Sequence, residues 1–178
     1  MESKRDERFE GLFREHYTAV RGYALRRAPR DVAQEIVAET FLVAWRRLDD
    51  VPDDARPWLY GVARRVLANQ RRSARRNVAL ERRLAGTAAP AGTGDPGERL
   101  GDKELVRTAL ARLSDREREA LTLIAWHGLT ATRAARAAGC SRSAFALRLH
   151  RARTRLAAEL SALESPTAPL EDQSLEVS

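Results

Sequence analysis

Apolar positions in this chain recur at helical intervals, and no run of alternating β-branched residues marks a strand. In the stretch from Arg142 onward, Phe145, Leu149, Ala152, Leu156 and Leu160 recur at i, i+4, i+7, i+11 and i+15. That spacing is one helix face. Arg148, Arg151 and Arg155 gather on its flank, while Ser143, Leu147, His150 and Thr154 point away from it. Upstream, LSDREREALTLIAWHG pairs Ser114 with Glu117 three residues on, the signature of a capping box. Leu121, Ile124 and Ala125 give that helix an inward face, and Gly128 ends it. A short helix is predicted from Ala131 to about Ala137, then a tight turn at Gly139 and Cys140, with Ser141 as cap of the next helix. Two helices joined by a glycine turn, the second of them basic, match a DNA-binding helix-turn-helix.

The N-terminal part has two strong patterns. DVAQEIVAETFLVAWRRL is apolar around most of its circumference, with a polar stripe at Glu35, Glu39, Leu42 and Arg46. Such a helix is buried on more than one side or binds a partner. An acidic, turn-forming loop, DDVPDDARP, follows. PWLYGVARRVLANQRRSARR then predicts a helix with Pro57 near its start. Its core face is Leu59, Val62, Ala63, Val66 and Leu67. A second stripe holds Trp58, Arg65, Asn69, Arg72 and Arg76, and a third holds Tyr60, Arg64, Arg71 and Arg75. Aromatic and basic side chains interleaved with an amide suit unstacked bases and phosphates. Taken singly, Trp58 and Tyr60 each read better as domain core than as base contacts.

GTAAPAGTGDPG, residues 86–97, has no apolar periodicity and reads as a flexible linker. ESPTAPLEDQSLEVS, after Leu163, reads as an acidic, disordered tail. The expected architecture is therefore all-α. Two small helical domains, residues 1–76 and 100–163, are joined by a linker at 77–99 and followed by a tail at 164–178.

Charge sharpens this picture. The 178-residue chain carries a formal net charge of +7. Residues 55–83 hold nine basic and one acidic side chain, and residues 128–158 hold seven basic and none acidic. Residues 159–178 hold five acidic side chains and no basic one. One basic block thus falls on each side of the linker, which points to a polyanionic partner. Of the 32 basic residues only Lys4 and Lys103 are lysine, and arginine binds phosphate bidentately. A GC-rich genome produces the same bias, so the arginine content carries reduced weight.

Enzymatic chemistry is not expected. Asp49, Asp50, Asp53 and Asp54 cluster in a turn-rich loop with no histidine nearby, and no convergent acid–base pair is visible. His16, His127 and His150 lack metal-ligand spacing, so neither a metal nor a cofactor is expected. Cys140 is the only cysteine, and a lone cysteine in a turn reads as a small buried hydrophobe. No apolar run reaches membrane length, and MESKRDERFE does not read as a signal peptide, so a cytoplasmic location is expected.

Three segments, VAQEIVAETFLVAW, PWLYGVARRVLANQRR and LSDREREALTLI with GLTATRAARAAGCSRSAFALRLHRARTRL, resemble the extracytoplasmic-function (ECF) group of the sigma-70 family. The resemblance covers roughly residues 9–76 and 100–160 in the family's order and spacing. It implies a bacterial initiation factor with sigma domain 2 and a helix-turn-helix sigma domain 4. Such a factor directs core RNA polymerase to specific promoters and aids promoter melting. On this resemblance Gln34, Glu35, Glu39 and Leu42 would dock on the clamp helices of the polymerase β′ subunit. The loop from Asp49 to Ala55 would capture a flipped base, and Trp58, Arg64, Arg65, Asn69 and Arg72 would grip the minus-ten element. Arg142, Ser143, Leu147, Arg148 and Arg151 would read the minus-thirty-five element. The implied partners are core polymerase, promoter DNA and, in some members, an anti-sigma factor, with a monomer when free.

Two departures stand out. Where the family often has Glu-Ile-Ala in the first helix of the motif, this chain has Arg133-Ala134-Ala135. Where the recognition helix often begins Thr-Val-Lys, it has Ala144-Phe145-Ala146. The second departure removes a lysine contact to DNA. The competing reading is a stand-alone helix-turn-helix regulator whose N-terminal part dimerises or senses a ligand; palindromic operator binding without polymerase would favour it.

Overall fold

The computed structural model describes residues 2–85 and 101–164. Seven helices account for most of them: α1 (Glu2–Leu25), α2 (Arg30–Arg46), α3 (Ala55–Ala85), α4 (Asp102–Ala111), α5 (Asp115–Ala125), α6 (Ala131–Ala138) and α7 (Arg142–Glu164). A single 3-10 turn, Leu48–Asp50, leads into the acidic loop. The expected linker core at 86–97 and the tail after Glu164 lie outside the described residues. The sequence ends the third helix near Arg76, yet it continues to Ala85.

α1, α2 and α3 form the N-terminal half. Val20, Tyr23, Ile36, Phe41, Ala44, Leu59, Ala63 and Leu67 are buried within it, as the apolar spacing of α2 and α3 requires. Phe9, Phe13 and Tyr17 on α1 lie against Phe41 of α2. Thr40, fully buried, returns its hydroxyl to the Ile36 carbonyl at 2.6 Å, so no polar atom is stranded there.

α4 to α7 form the C-terminal half around Leu113, Ala120, Leu123, Phe145, Leu149 and Ala152. The capping box is present: the Glu117 amide donates to Ser114 Oγ and Glu117 Oε2 accepts from the Ser114 amide at 2.9 Å. Ser141 Oγ accepts from the Ala144 amide, starting α7. Gly139 sits at φ +63 after α6, the left-handed position that glycine occupies without a Cβ penalty.

The two halves pack on one another. α6 lies across α3, and its alanines Ala134, Ala135, Ala137 and Ala138 are all buried. The Ala137 carbonyl is 3.6 Å from where a Cβ on Gly61 would stand, so the helices approach closely at a small-residue contact.

Candidate nucleic-acid and polymerase interface

The exposed stripe of α2 is where the pattern puts it. Glu35, Glu39 and Leu42 are exposed, Leu42 at 39%. Glu35 and Glu39 line one wall of a groove of about 540 Å3 between α2 and α3, and Arg65 and Asn69 line the other. Gln70 Nε2 donates to Glu35 Oε2 across it at 3.2 Å. Gln34 is also exposed but faces a different groove, between α1 and α2, beside Tyr17 and Phe41. Gln34 thus borders a different groove from Glu35 and Glu39, while Leu42 lines neither and all four stay exposed.

The five residues grouped for the minus-ten element divide likewise. Arg65 and Asn69 face the α2–α3 groove, and Arg72 donates to Asn69 Oδ1 from the ridge beside it. Trp58 is half-buried against the core. Arg64 turns toward the C-terminal half, where its guanidinium would meet a Cβ added to Gly139 at 2.6 Å. Arg64, Arg71, Arg72 and Arg75 line a crevice of about 350 Å3 with Asp115 and Glu119 of α5.

The third stripe of α3 thus serves the junction. Tyr60 is 1% exposed, stacks on Tyr23 with ring centroids 5.0 Å apart, and places its Oη 3.0 Å from His127 Nδ1. Arg71 donates to Asp115 and to the Arg27 carbonyl. Tyr23 Oη donates to the buried carboxylate of Glu119 at 2.8 Å, and Arg27 Nη1 lies 3.4 Å from the same oxygen. Arg133, the residue that departs from the family pattern, binds both carboxylate oxygens of Asp54 in the acidic loop.

Burial shapes the protonation at this junction. Desolvation, followed by the charges of Arg26, Arg56 and Arg27, lowers His127 to about 4. Burial, with the Glu119 charge adding to it, pushes Tyr23 well above its ordinary value. Both groups are therefore neutral near pH 7.

On α7, Arg142, Ser143, Leu147 and Arg151 are exposed, Leu147 at 51%, and Arg148 is half-buried. Phe145, Leu149 and Ala152 fix the opposite face into the half-domain. A helix held from behind, with basic and small side chains outward, can lie in a DNA groove. Among the described residues no group of histidine, cysteine, aspartate or glutamate is arranged to hold a metal ion, and no helix is long and apolar enough to cross a membrane.

Sequence reasoning missed Tyr23, Arg27, Glu119 and the pairing of Asp54 with Arg133. No local signal was available: the face read as inward was Leu121, Ile124 and Ala125, of which Ala125 is exposed, and Glu119 is buried on the opposite side of the helix. Its partner Tyr23 comes from 96 residues away, and no local pattern supplies that.

Residues 12–77 match the family described as Sigma-70 region 2, and residues 103–156 match Sigma-70, region 4. These two regions coincide with the two halves of the fold. A relative in Mycobacterium tuberculosis strain H37Rv, the ECF RNA polymerase sigma factor SigL, is 35% identical over 145 residues, covering 78% of this chain and 81% of the relative. SigM of Bacillus subtilis strain 168 is 28% identical over 130 residues, 72% of this chain and 80% of that protein. Among solved structures, the sigma factor RpoE in complex with the anti-sigma factor NepR, from Bartonella quintana, superposes with TM-score 0.68 at 27% identity. That match covers 86% of this chain and 96% of RpoE. CnrH in complex with the cytosolic domain of CnrY gives TM-score 0.61 at 28% identity, over 88% and 89% of the two chains. The chain belongs to the extracytoplasmic-function RNA polymerase sigma factors. Members of this family are initiation factors rather than enzymes in general, and the stand-alone regulator is not favoured.

Proposed function

We propose that this sigma factor docks on core polymerase through the α2 stripe, Glu35, Glu39 and Leu42, with Gln34 contributing from the adjoining face. Arg65, Asn69 and Arg72, with Trp58 at the start of α3, take the minus-ten strand. The exposed face of α7, Arg142, Ser143, Leu147, Arg148 and Arg151, takes the minus-thirty-five duplex. The protein does this without catalytic chemistry of its own and works in the cytoplasm. An anti-sigma factor, of the kind that binds RpoE in the related complex, is a natural regulator.

The observation that carries this reading is the groove between α2 and α3. Two carboxylates on one wall and an arginine with an amide on the other let a polymerase surface and a DNA strand meet along one line. Arg64 belongs to the same set but faces Gly139, so its use on DNA requires the halves to part.

The test is reconstitution. Purified protein added to core polymerase gives promoter-dependent transcripts, and Glu35→Arg with Leu42→Ala abolishes them while the circular-dichroism melt stays unchanged. Transcripts that persist with that double variant overturn the docking assignment. Palindromic duplex binding with no effect of polymerase restores the stand-alone regulator.

A further inference from the structure

A second crevice, of about 220 Å3, opens where the two halves meet. Thr18 of α1, Arg26 just past it, Arg56 and Tyr60 of α3, and Trp126 and His127 just past α5 line it. The polar groups are almost all donors. The Arg26 guanidinium sends one hydrogen bond to the Gly22 carbonyl and lies 5.9 Å from the centroid of the Trp126 ring. Neither Arg26 nor Arg56 forms an ion pair among the described residues, and no carboxylate lines the crevice. The neighbouring Asp54 is engaged by Arg133.

His127 forms part of the wall. Burial keeps the Tyr60 phenol protonated, and its hydroxyl is 3.0 Å from Nδ1. With the hydroxyl donating to Nδ1, the neutral imidazole carries its proton on Nε2. That Nε2 is fully buried and has no hydrogen-bond partner. That nitrogen is closed to the crevice, so the groups there for an anion are the two guanidiniums, which line it without an ion pair among the described residues. Arg26, Arg27 and Arg56 are the charges felt at this ring, and all three are positive.

We propose that this crevice binds a small phosphate-bearing ligand, with Arg26 and Arg56 as the charged clamp, the Thr18 hydroxyl as a neutral donor and the His127 ring as part of the wall. Guanidinium–phosphate hydrogen bonds are charge-assisted and directional, which suits two arginines converging on one anion. The site takes residues from both halves, so it exists only while they are packed together. A ligand there therefore stabilises the packed form by mass action. If the promoter-binding assignments hold, it withholds Arg64 from DNA; the binding itself does not depend on that reading.

The test reads the pocket directly, without polymerase. The histidine imidazole resonances of the full chain are followed while sodium pyrophosphate is added at constant ionic strength. The His127 signal is expected to shift and saturate, with its pKa rising from about 4 because a bound anion favours the imidazolium. His16 and His150 stay in place. Arg56→Gln and Arg26→Gln each weaken the saturation by about tenfold. Arg26 is exposed, so that variant keeps the experiment decisive if Arg56→Gln disturbs the fold. Inorganic phosphate in a parallel arm, binding more weakly than pyrophosphate, assigns the preference to linked phosphates. Equal shifts at all three histidines, or none, overturn the proposal. So does a His127 response to short duplex DNA with none to pyrophosphate, which makes the crevice a nucleic-acid contact instead.

Discussion

Arg133 grips Asp54 across the junction of the two halves, with Nε 2.9 Å from Oδ2 and a second bond to the other oxygen. The pair ties the first helix of the helix-turn-helix to the loop before α3, the loop that the family resemblance assigns to base capture. A residue that departs from the usual family pattern thus has a partner in the acidic loop. Both side chains are more than a third exposed, so solvent screening keeps the pair at about 1 kcal/mol or less. Arg133→Glu and Asp54→Arg are each expected to shift the halves toward separation by a few-fold, and the double exchange is expected to restore packing. Distance measurements between labels placed one in each half report this directly; an exchange that fails to restore the wild-type distance means the pair does not hold the junction.

The Glu119 cluster is the stronger tie. Glu119 is 4% exposed and the Arg27 side chain beside it is nearly as buried. Removing one member of a buried pair leaves the other uncompensated, at about 3–5 kcal/mol. Glu119→Ala is therefore expected to lower stability by roughly that amount, and Tyr23→Phe by about 1–3 kcal/mol. Chemical denaturation of the two variants ranks them, and the reverse ranking contradicts the assignment of Glu119 as the shared acceptor.

Acid is expected to weaken the junction. His127 is held at about 4 in the folded chain, against an ordinary value near 6.5. Between these two pH values the unfolded chain binds a proton that the folded chain does not. Stability from this group is whole above about pH 6.5 and is lost as pH falls toward 4. His16 is lowered by burial as well and acts in the same direction. His127→Gln is therefore expected to flatten part of the decline in melting temperature across this window, leaving the His16 share. An unchanged slope would show that His127 is not buried as a neutral ring.

Gly139→Ala tests the turn. The residue sits at φ +63, and an added Cβ would stand 2.6 Å from Arg64 Nη2. The left-handed conformation costs a non-glycine residue about 1–2 kcal/mol, while the arginine tip can swing aside. The expected result is a loss of about that size in thermal stability together with looser packing of the halves.

Duplex binding is expected to fall with Arg151→Ala, by about 1–3 kcal/mol if that side chain makes a bidentate base contact and less if it touches phosphate alone. Arg148→Ala is expected to act the same way, though its half-buried stem adds a packing loss. Fluorescence anisotropy with a labelled minus-thirty-five duplex distinguishes the two when stability is measured alongside. Unchanged affinity in both variants removes α7 as the reading helix.

Local patterns made much of this legible. The period of Phe145, Leu149 and Ala152 identified the buried face of α7, and Ser114 with Glu117 marked the start of α5. Caps and faces depend on neighbours within a few residues, so a sequence displays them. Tyr60 shows the limit. Its stripe-mates are arginines, and although it read singly as core, nothing local showed that it would be buried between Tyr23 and His127. Which surface covers an exposed-looking stripe is decided by a helix arriving from the other end of the chain. Gln34 shows another limit, since one residue's step around α2 moves it to a different groove from Glu35.

The alanine surface of α6 has a kinetic consequence. Ala137 meets α3 at Gly61 with no long side chain between them, and alanine carries no rotamers to unlock. Such a contact has no interlocking teeth. Separation needs little repacking at α6 itself, and the barrier lies in breaking the polar ties, the buried Glu119 cluster foremost. The lifetime of the junction is thus set by those ties rather than by the alanine contact. A single larger residue, Ala137→Leu, would introduce steric relief into a smooth bearing and would change how often the halves part more than how either half folds.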